Sequence, residues 1–344
     1  MITREFSIQF TTPAFLGNAE QNGQWRTPPF KHLLREWWRV AWAESHDFNI
    51  SLGEMRSEEG RLFGVAADDG DSRKSRVRIR LARWDQGGMK EWARVDPKVF
   101  HKEVGNGGRE VGSHLYLGYG PLTYDKGAKQ TKLKVNAAIQ AGEENAFKLA
   151  YPKTSDALLM RALELASWFG AIGGRSRNGW GSFMLLGEDL GDQPGYPLRD
   201  WRECLKEEWA HAIGCDETGP LVWWTEAHRD WSSLMKTLAE LKIGLRTSFS
   251  FSTGKKASNP EPRHYLSYPV TNHSVNSWDR NARLPNSLRF KAWQGEDGNL
   301  YGLIYHMPCK PPEPFRAREN TLISLWGKVH EYLDSQDNLE RSAQ

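Results

Sequence analysis

The stretch FGAIGGRSRNGWGSF, residues 169–183, places five glycines and two arginines within twelve positions. Glycine loses more backbone freedom on folding than any other residue, so such a run needs a reason. Bare backbone lets N–H groups turn outward into a concave anion site. Arg175 and Arg177 would add charge-assisted, fork-shaped contacts suited to phosphate. Trp180, between Gly179 and Gly181, would either stack a nucleobase or pack the loop down. Gly173, Gly174, Arg175, Ser176, Arg177, Asn178 and Trp180 are therefore candidate nucleic-acid-binding residues. The competing explanation is a tight helix-to-strand connection whose arginines stay in solvent.

Two further basic features belong to the same half of the chain. SRKSRVRIRLARW, residues 72–84, holds six basic residues and no acidic one. Val77, Ile79 and Leu81 alternate with Arg76, Arg78 and Arg80, which predicts a strand with three guanidinium groups on one face. Their spacing of about 7 Å is close to that of phosphates along an extended nucleic-acid strand. Arg35 and Arg39, four apart on a predicted helix, share a face. The 16 tryptophans sit largely near Arg or Lys, as in REWWRVAW, RLARWD and FKAW. Such rings fill cores and rims, and they also stack single-stranded nucleic acid.

Other chemistry finds little support. STGKKAS contains Gly-Lys, but Phe249 stands where a nucleotide-binding P-loop needs its first glycine. LGYGPL is half of a dinucleotide fingerprint without the third glycine. There is no His-Glu-x-x-His or paired-cysteine motif, so neither a metal nor a cofactor is expected. The ten histidines are dispersed. His32, preceding Arg35 and Arg39, is a candidate general base for RNA cleavage, but no partner is singled out, and no catalytic residue is assigned. The acidic cluster ADDGD, residues 67–71, reads as a solvated turn, with metal or phosphodiester chemistry as its alternative.

These features need elements to position them. REFSIQFTT alternates Phe6, Ile8 and Phe10 with polar residues, as in a strand with one buried face. TPPFKHLLREWWRVAWAES opens with Thr27 and two prolines at a helix start, with Leu34, Trp38, Ala41 and Trp42 as its buried stripe. SHLYLGYGPL and NAFKLAYP read as strands, and SDALLMRALELASWFG as a helix capped by Ser155 or Asp156. In the second half, helices are expected over DWSSLMKTLAELKIG and ENTLISLWGKVHEYL, and strands over SLRFKAW and LYGLIYHMP. In SLRFKAW, Arg289, Lys291 and Trp293 share one face and Leu288, Phe290 and Ala292 the other. The pattern is α+β.

The 344 residues suffice for about two domains. The Gly-, Pro- and Asp-rich segment 187–200 divides them, giving 1–190 and 200–335, with 336–344 as a frayed polar tail. A net charge of +3, 39% hydrophobic and 26% charged residues are those of a folded protein. No apolar run approaches a membrane span and MITREFSIQF is unlike a signal peptide. Three scattered cysteines suggest neither a disulfide framework nor a zinc site. A cytoplasmic, reducing location is expected.

The order of motifs resembles the RAMP superfamily of CRISPR effector proteins. TTPAFLGNAEQ, RTPPFKHLLREWWRVAW, RLFG, LYLGYG and the GGRSRNGWGS core carry the likeness. Within the superfamily these are similar to the first Cmr subunits of type III-B complexes. RLPNSLRFKAW and LIYHMP extend the likeness loosely into the second half. Lys31-His32 departs from the Arg-Gly with which that family's first helix starts, and Asn18 replaces a second glycine in FLGNAEQ. The resemblance implies two ferredoxin-like, RNA-recognition-type domains in tandem. It also implies a non-catalytic subunit near the 3′ end of a guide RNA, with guide RNA, target RNA and other RAMP subunits as partners. A metal-independent endoribonuclease that processes guide RNA is the alternative, and a protein-docking scaffold built on the second half is a third reading.

Overall fold

The computed structural model describes residues 1–66, 72–187, 190 and 195–343. The acidic cluster 67–71 and most of the expected linker's acidic stretch (188–189 and 191–194) lie outside the described residues. The first half runs through β1 (Ile2–Phe10), α1 (Thr27–Ser45), α2 (Leu52–Phe63), β2 (Arg78–Leu81), β3 (Lys98–His101), β4 (Arg109–Gly112), α3 (Ser113–Gly118), β5 (Leu122–Asp125), β6 (Gln130–Leu133), β7 (Glu144–Tyr151), α4 (Asp156–Phe169) and β8 (Phe183–Leu186). The second half carries β9 (Leu198–Asp200), α5 (Trp201–Cys204), β10 (Ile213–Asp216), β11 (Gly219–Pro220), β12 (Val222–Thr225), α6 (Trp231–Ser248), β13 (Lys256–Ala257), α7 (Pro262–Leu266), β14 (Ser274–Val275), β15 (Leu288–Gln294), β16 (Leu300–His306), α8 (Glu319–Asp334) and β17 (Leu339–Arg341).

The fold is α+β with several antiparallel sheets. In the first half β2-β7-β1-β8 form one antiparallel sheet, and in the second β15-β16-β12-β17 form another. Each half therefore runs strand, helix, strand, then strand, helix, strand, with its third main strand inserted between the first two.

Strand alternation then builds a stack of four layers. Phe6, Ile8 and Phe10 of β1 and Phe147 and Leu149 of β7 bury one face of the first sheet under α1 and α4. The opposite face, with Thr3, Glu5, Arg78, Arg80 and Lys148, is exposed. The far side of α1 and α4 meets the second sheet: the Tyr305 ring lies 6.5 Å from Trp37 and 5.2 Å from Phe169, and its hydroxyl donates to the Phe169 carbonyl at 2.5 Å. Leu288, Phe290, Ala292 and Ile304 point the other way, into a core built with α6 and α8.

Two expectations are corrected. SHLYLGYGPL is not a strand: Asp96 accepts hydrogen bonds from the backbone N–H groups of His114 (2.8 Å) and Leu115 (3.1 Å), and this buried carboxylate starts the short helix α3. The polar tail is not frayed, because β17 pairs with β12 and Arg341 reaches Asp216 at 2.6 Å. α1 opens at Thr27 with prolines in its first turn, as expected, and its cap position, Arg26, makes no side-chain cap. Arg289 and Lys291 do alternate with Leu288, Phe290 and Ala292 as expected, yet both are buried between the halves. Arg289 meets Glu36 at 2.6 Å and the Lys291 ammonium donates to the Ser167 carbonyl.

Candidate nucleic-acid interface

The glycine-rich loop leaves α4 and enters β8, so it crosses the seam where the two halves meet. Its inner side lines the outer edge of β15. The Phe290 N–H donates to the Arg177 carbonyl at 3.2 Å and the Ala292 N–H to the Ser182 hydroxyl at 2.9 Å. The Thr11 hydroxyl closes the same edge on the Ala292 carbonyl at 2.8 Å. The Asn178 amide donates to the Leu117 carbonyl at 2.7 Å and accepts from the Lys242 ammonium on α6. Most of the bare backbone is needed for this packing. A Cβ on Gly173 (φ +93°) would stand 2.7 Å from the Phe15 carbonyl, and one on Gly181 (φ +69°) 1.9 Å from that of Ile172.

Trp180 takes the structural course. It is fully buried, with ring centroids 5.4 Å from Phe15, 5.5 Å from Trp92, 6.0 Å from His114 and 5.8 Å from Trp231. Its expected role in base stacking is corrected: no face of the ring is open. Arg177 also turns inward. One terminal nitrogen donates to the Asn286 carbonyl at 2.7 Å, and burial, with the Arg289 charge, brings its pKa down to about 10.

The outer rim behaves differently. Gly173 and Arg175 are exposed, and Gly174 and Ser176 half-buried. Arg175 holds a left-handed backbone, φ +61°, which is costly for a residue with a Cβ. Its Nε donates to the Tyr119 carbonyl at 2.6 Å, and among the described residues no acceptor is bonded to its terminal nitrogens. Among the described residues, no acceptor is bonded to the N–H groups of 175, 176 and 177.

Beside this rim lies a cleft of about 400 Å³. Its walls are the turn from Phe15 through Gly17, Gln21 and Gly23, the Gly120-Pro121 step, the segment Lys134, Val135 and Ala137, and Gly174. Asn18 organises that turn: its side-chain oxygen accepts from the N–H groups of Glu20 (3.0 Å) and Asn22 (2.9 Å). The cleft and Lys134 were missed in the sequence. LGYGPL was the available signal, since its Gly120 (φ +119°) shapes one wall.

The remaining candidates lie elsewhere. Arg35 and Arg39 share Glu59 of α2 at 3.1 Å and 2.7 Å, so they staple α2 onto α1 and are not a free phosphate clamp. Burial alone would raise Glu59, but hydrogen bonds and charge from Arg39 and Arg35 hold it below the usual carboxylate range. Arg76, Arg78 and Arg80 are exposed as expected, though only Arg78 and Arg80 lie within β2. The sheet order puts β2 three strands, about 14 Å, from the β8 strand that follows the loop, at the opposite edge of the first sheet. His32 is exposed, while Glu36, one turn along, is engaged by Arg289. Among the described residues, no group of three metal-ligating side chains converges, and no helix is long and apolar enough to cross a membrane.

The RAMP superfamily model matches residues 7–183, just over half of the chain, and the chain belongs to that superfamily. Among solved structures it is similar to Cmr1 from Pyrococcus furiosus in its apo form, at 14% identity and TM-score 0.47, covering 99% of this chain and 98% of that one. It is also similar to a chain of the type III-B Cmr-beta complex bound to cognate target RNA and AMPPnP in the presence of ssDNA, at 10% identity and TM-score 0.49, covering 95% and 98%. A chain of Cmr-beta bound to cognate target RNA gives 11% identity and TM-score 0.47, covering 94% and 99%. No curated protein matches the chain.

Proposed function

We propose that this chain is a non-catalytic RNA-binding subunit of a type III-B (Cmr) CRISPR effector complex. It acts in the cytoplasm in antiviral defence, near the 3′ end of the guide RNA and among other RAMP subunits. The observation that carries the reading is the outer rim of the superfamily's glycine-rich loop. There the exposed Arg175, and three N–H groups bonded to no acceptor among the described residues, follow directly on Gly174, which with Lys134 lines an open cleft. Such a rim reads phosphate and shape, which suits a guide whose sequence varies. The two sheets, each with its third main strand between the first two, support the inference of tandem ferredoxin-like domains.

Binding is favoured over cleavage because His32, the one general-base candidate, finds no free carboxylate on its own helix face: Glu36, one turn along, is engaged by Arg289 at 2.6 Å. Purifying the tagged chain from its host tests the reading. Short RNAs with a constant 5′ tag and variable interiors, arriving with several partner proteins, are the expected result. Random or absent RNA refutes the role, and cleavage of repeat RNA by the purified chain in chelator refutes its non-catalytic part.

A further inference from the structure

We propose that the cleft beside the glycine-rich loop receives a single splayed-out nucleotide of the bound RNA, its base within the cleft and an adjoining phosphate on Arg175 and Lys134. The proposal rests on the RNA-binding reading above and specifies what that site recognises.

Size and lining carry the argument. A cavity of about 400 Å³ falls within the range that encloses small organic ligands. Phe15, Val135 and Ala137 supply apolar floor, and the exposed Lys134 stands at the mouth. The far end of Arg175 is in reach of the same space: a Cβ on Gly120, a wall residue, would lie 3.6 Å from its Nη2. An apolar floor with cationic groups at one side matches a base joined to phosphate. Gln21 is the single lining side chain with both a donor and an acceptor, so the pocket discriminates weakly between bases, as a variable guide requires.

Gly17 is the position at which the cleft can be perturbed. It lines the cleft, its φ is not in the left-handed region, and a Cβ there would meet nothing within 4 Å. Packing and backbone geometry therefore leave room for a side chain at this position.

The test uses the native complex carrying 4-thiouridine in its RNA, with ultraviolet crosslinking and mass spectrometry of the crosslinked peptides. The wild-type chain is expected to crosslink within residues 15–23 or 134–137. Gly17→Phe should reduce that crosslink about tenfold, the scale of one lost base contact, with the melting temperature read as the check that the fold is kept. Gly17→Ala, which adds one methyl group, should reduce it much less. Crosslinks to residues 15–23 or 134–137 that persist at wild-type level in Gly17→Phe overturn the proposal. RNA that crosslinks only elsewhere on the chain overturns the cleft assignment alone. A wild-type chain that brings no RNA overturns the RNA-binding reading with it.

Discussion

Replacing Trp180 by alanine separates packing from recognition in the glycine-rich loop. The ring has no exposed surface and touches four aromatic rings drawn from three regions of the chain: Phe15 in the cleft turn, Trp92 and His114 before and within α3, and Trp231 at the start of α6. Truncating a buried tryptophan to alanine costs about 3–5 kcal/mol, because the cavity left behind collapses only in part. For a chain of this size about 1 kcal/mol corresponds to roughly 2 °C, so the melting temperature should fall by about 6–10 °C. Trp180→Phe, which keeps most of the apolar contact, should recover more than half of that. Thermal melts followed by near-ultraviolet circular dichroism measure the loss, and RNA binding is then compared well below both midpoints, where the variant is folded. There its affinity should stay within a few-fold of wild type. A variant that melts within about 2 °C of wild type yet loses RNA binding would show that the ring meets a base, and the seam argument would fail.

Arg175→Ala should weaken RNA binding across all sequences and lower the salt slope by about one, with no change in melting, in a filter-binding series over salt concentration. Arg177→Ala should do the reverse, lowering the melting temperature because it leaves the Asn286 carbonyl without its donor. Glu59→Gln leaves Arg35 and Arg39 half-buried without their carboxylate and should cost about 1–2 kcal/mol near neutral pH in urea titrations. Because the Glu59 pKa is held below its unfolded value, the wild-type advantage should be complete above the ordinary glutamate range and vanish as pH falls through the lowered pKa. Burial, with the charges of Arg246 and Arg175, brings Lys242 down to about 7, so above that pH the unfolded chain binds a proton that the folded one lacks. Stability should rise between about pH 7 and 8.5, and a flat profile shared by wild type and Lys242→Met would contradict this assignment.

The elements whose pattern is set by one buried face could be read directly from sequence. The alternation of Phe6, Ile8 and Phe10 marks β1, and the stripe of Leu34, Trp38 and Ala41 marks α1, because each element buries one side only. Alternation also sorted the two faces of β15 correctly but could not say what covers them. A strand bearing Arg289, Lys291 and Trp293 on one face looks solvent-facing or nucleic-acid-facing. Only the packing of α1 and α4 against it reveals Glu36 and the Ser167 carbonyl as its partners. Arg35 and Arg39 were misread for the same reason, since Glu59 lies 20 residues or more away and no local signal links them. The three residues of β17 are too few to show a period, and they form a strand because β12 offers an open edge. The cleft was beyond reach in principle, being assembled from four separated segments.

The layer order explains why one loop serves two purposes. With α1 and α4 between the sheets, the second sheet has both faces covered, and its β15 edge would be left with unpaired N–H and C=O groups. The residues that answer that edge are Thr11, Arg177 and Ser182, and two of them belong to or adjoin the glycine-rich loop. Close approach of two backbones explains why side chains are missing from the loop's inner half. It does not explain the outer half, where Arg175 keeps a left-handed backbone in solvent and Gly17 faces empty space. Backbone strain that folding does not require clusters at functional sites, and Arg175 carries it directly after the cleft-lining Gly174. The inner half of the loop therefore belongs to the fold, and under the proposed function the outer half is left to RNA, so that Arg177 and Arg175, two residues apart, should respond to mutation in opposite ways.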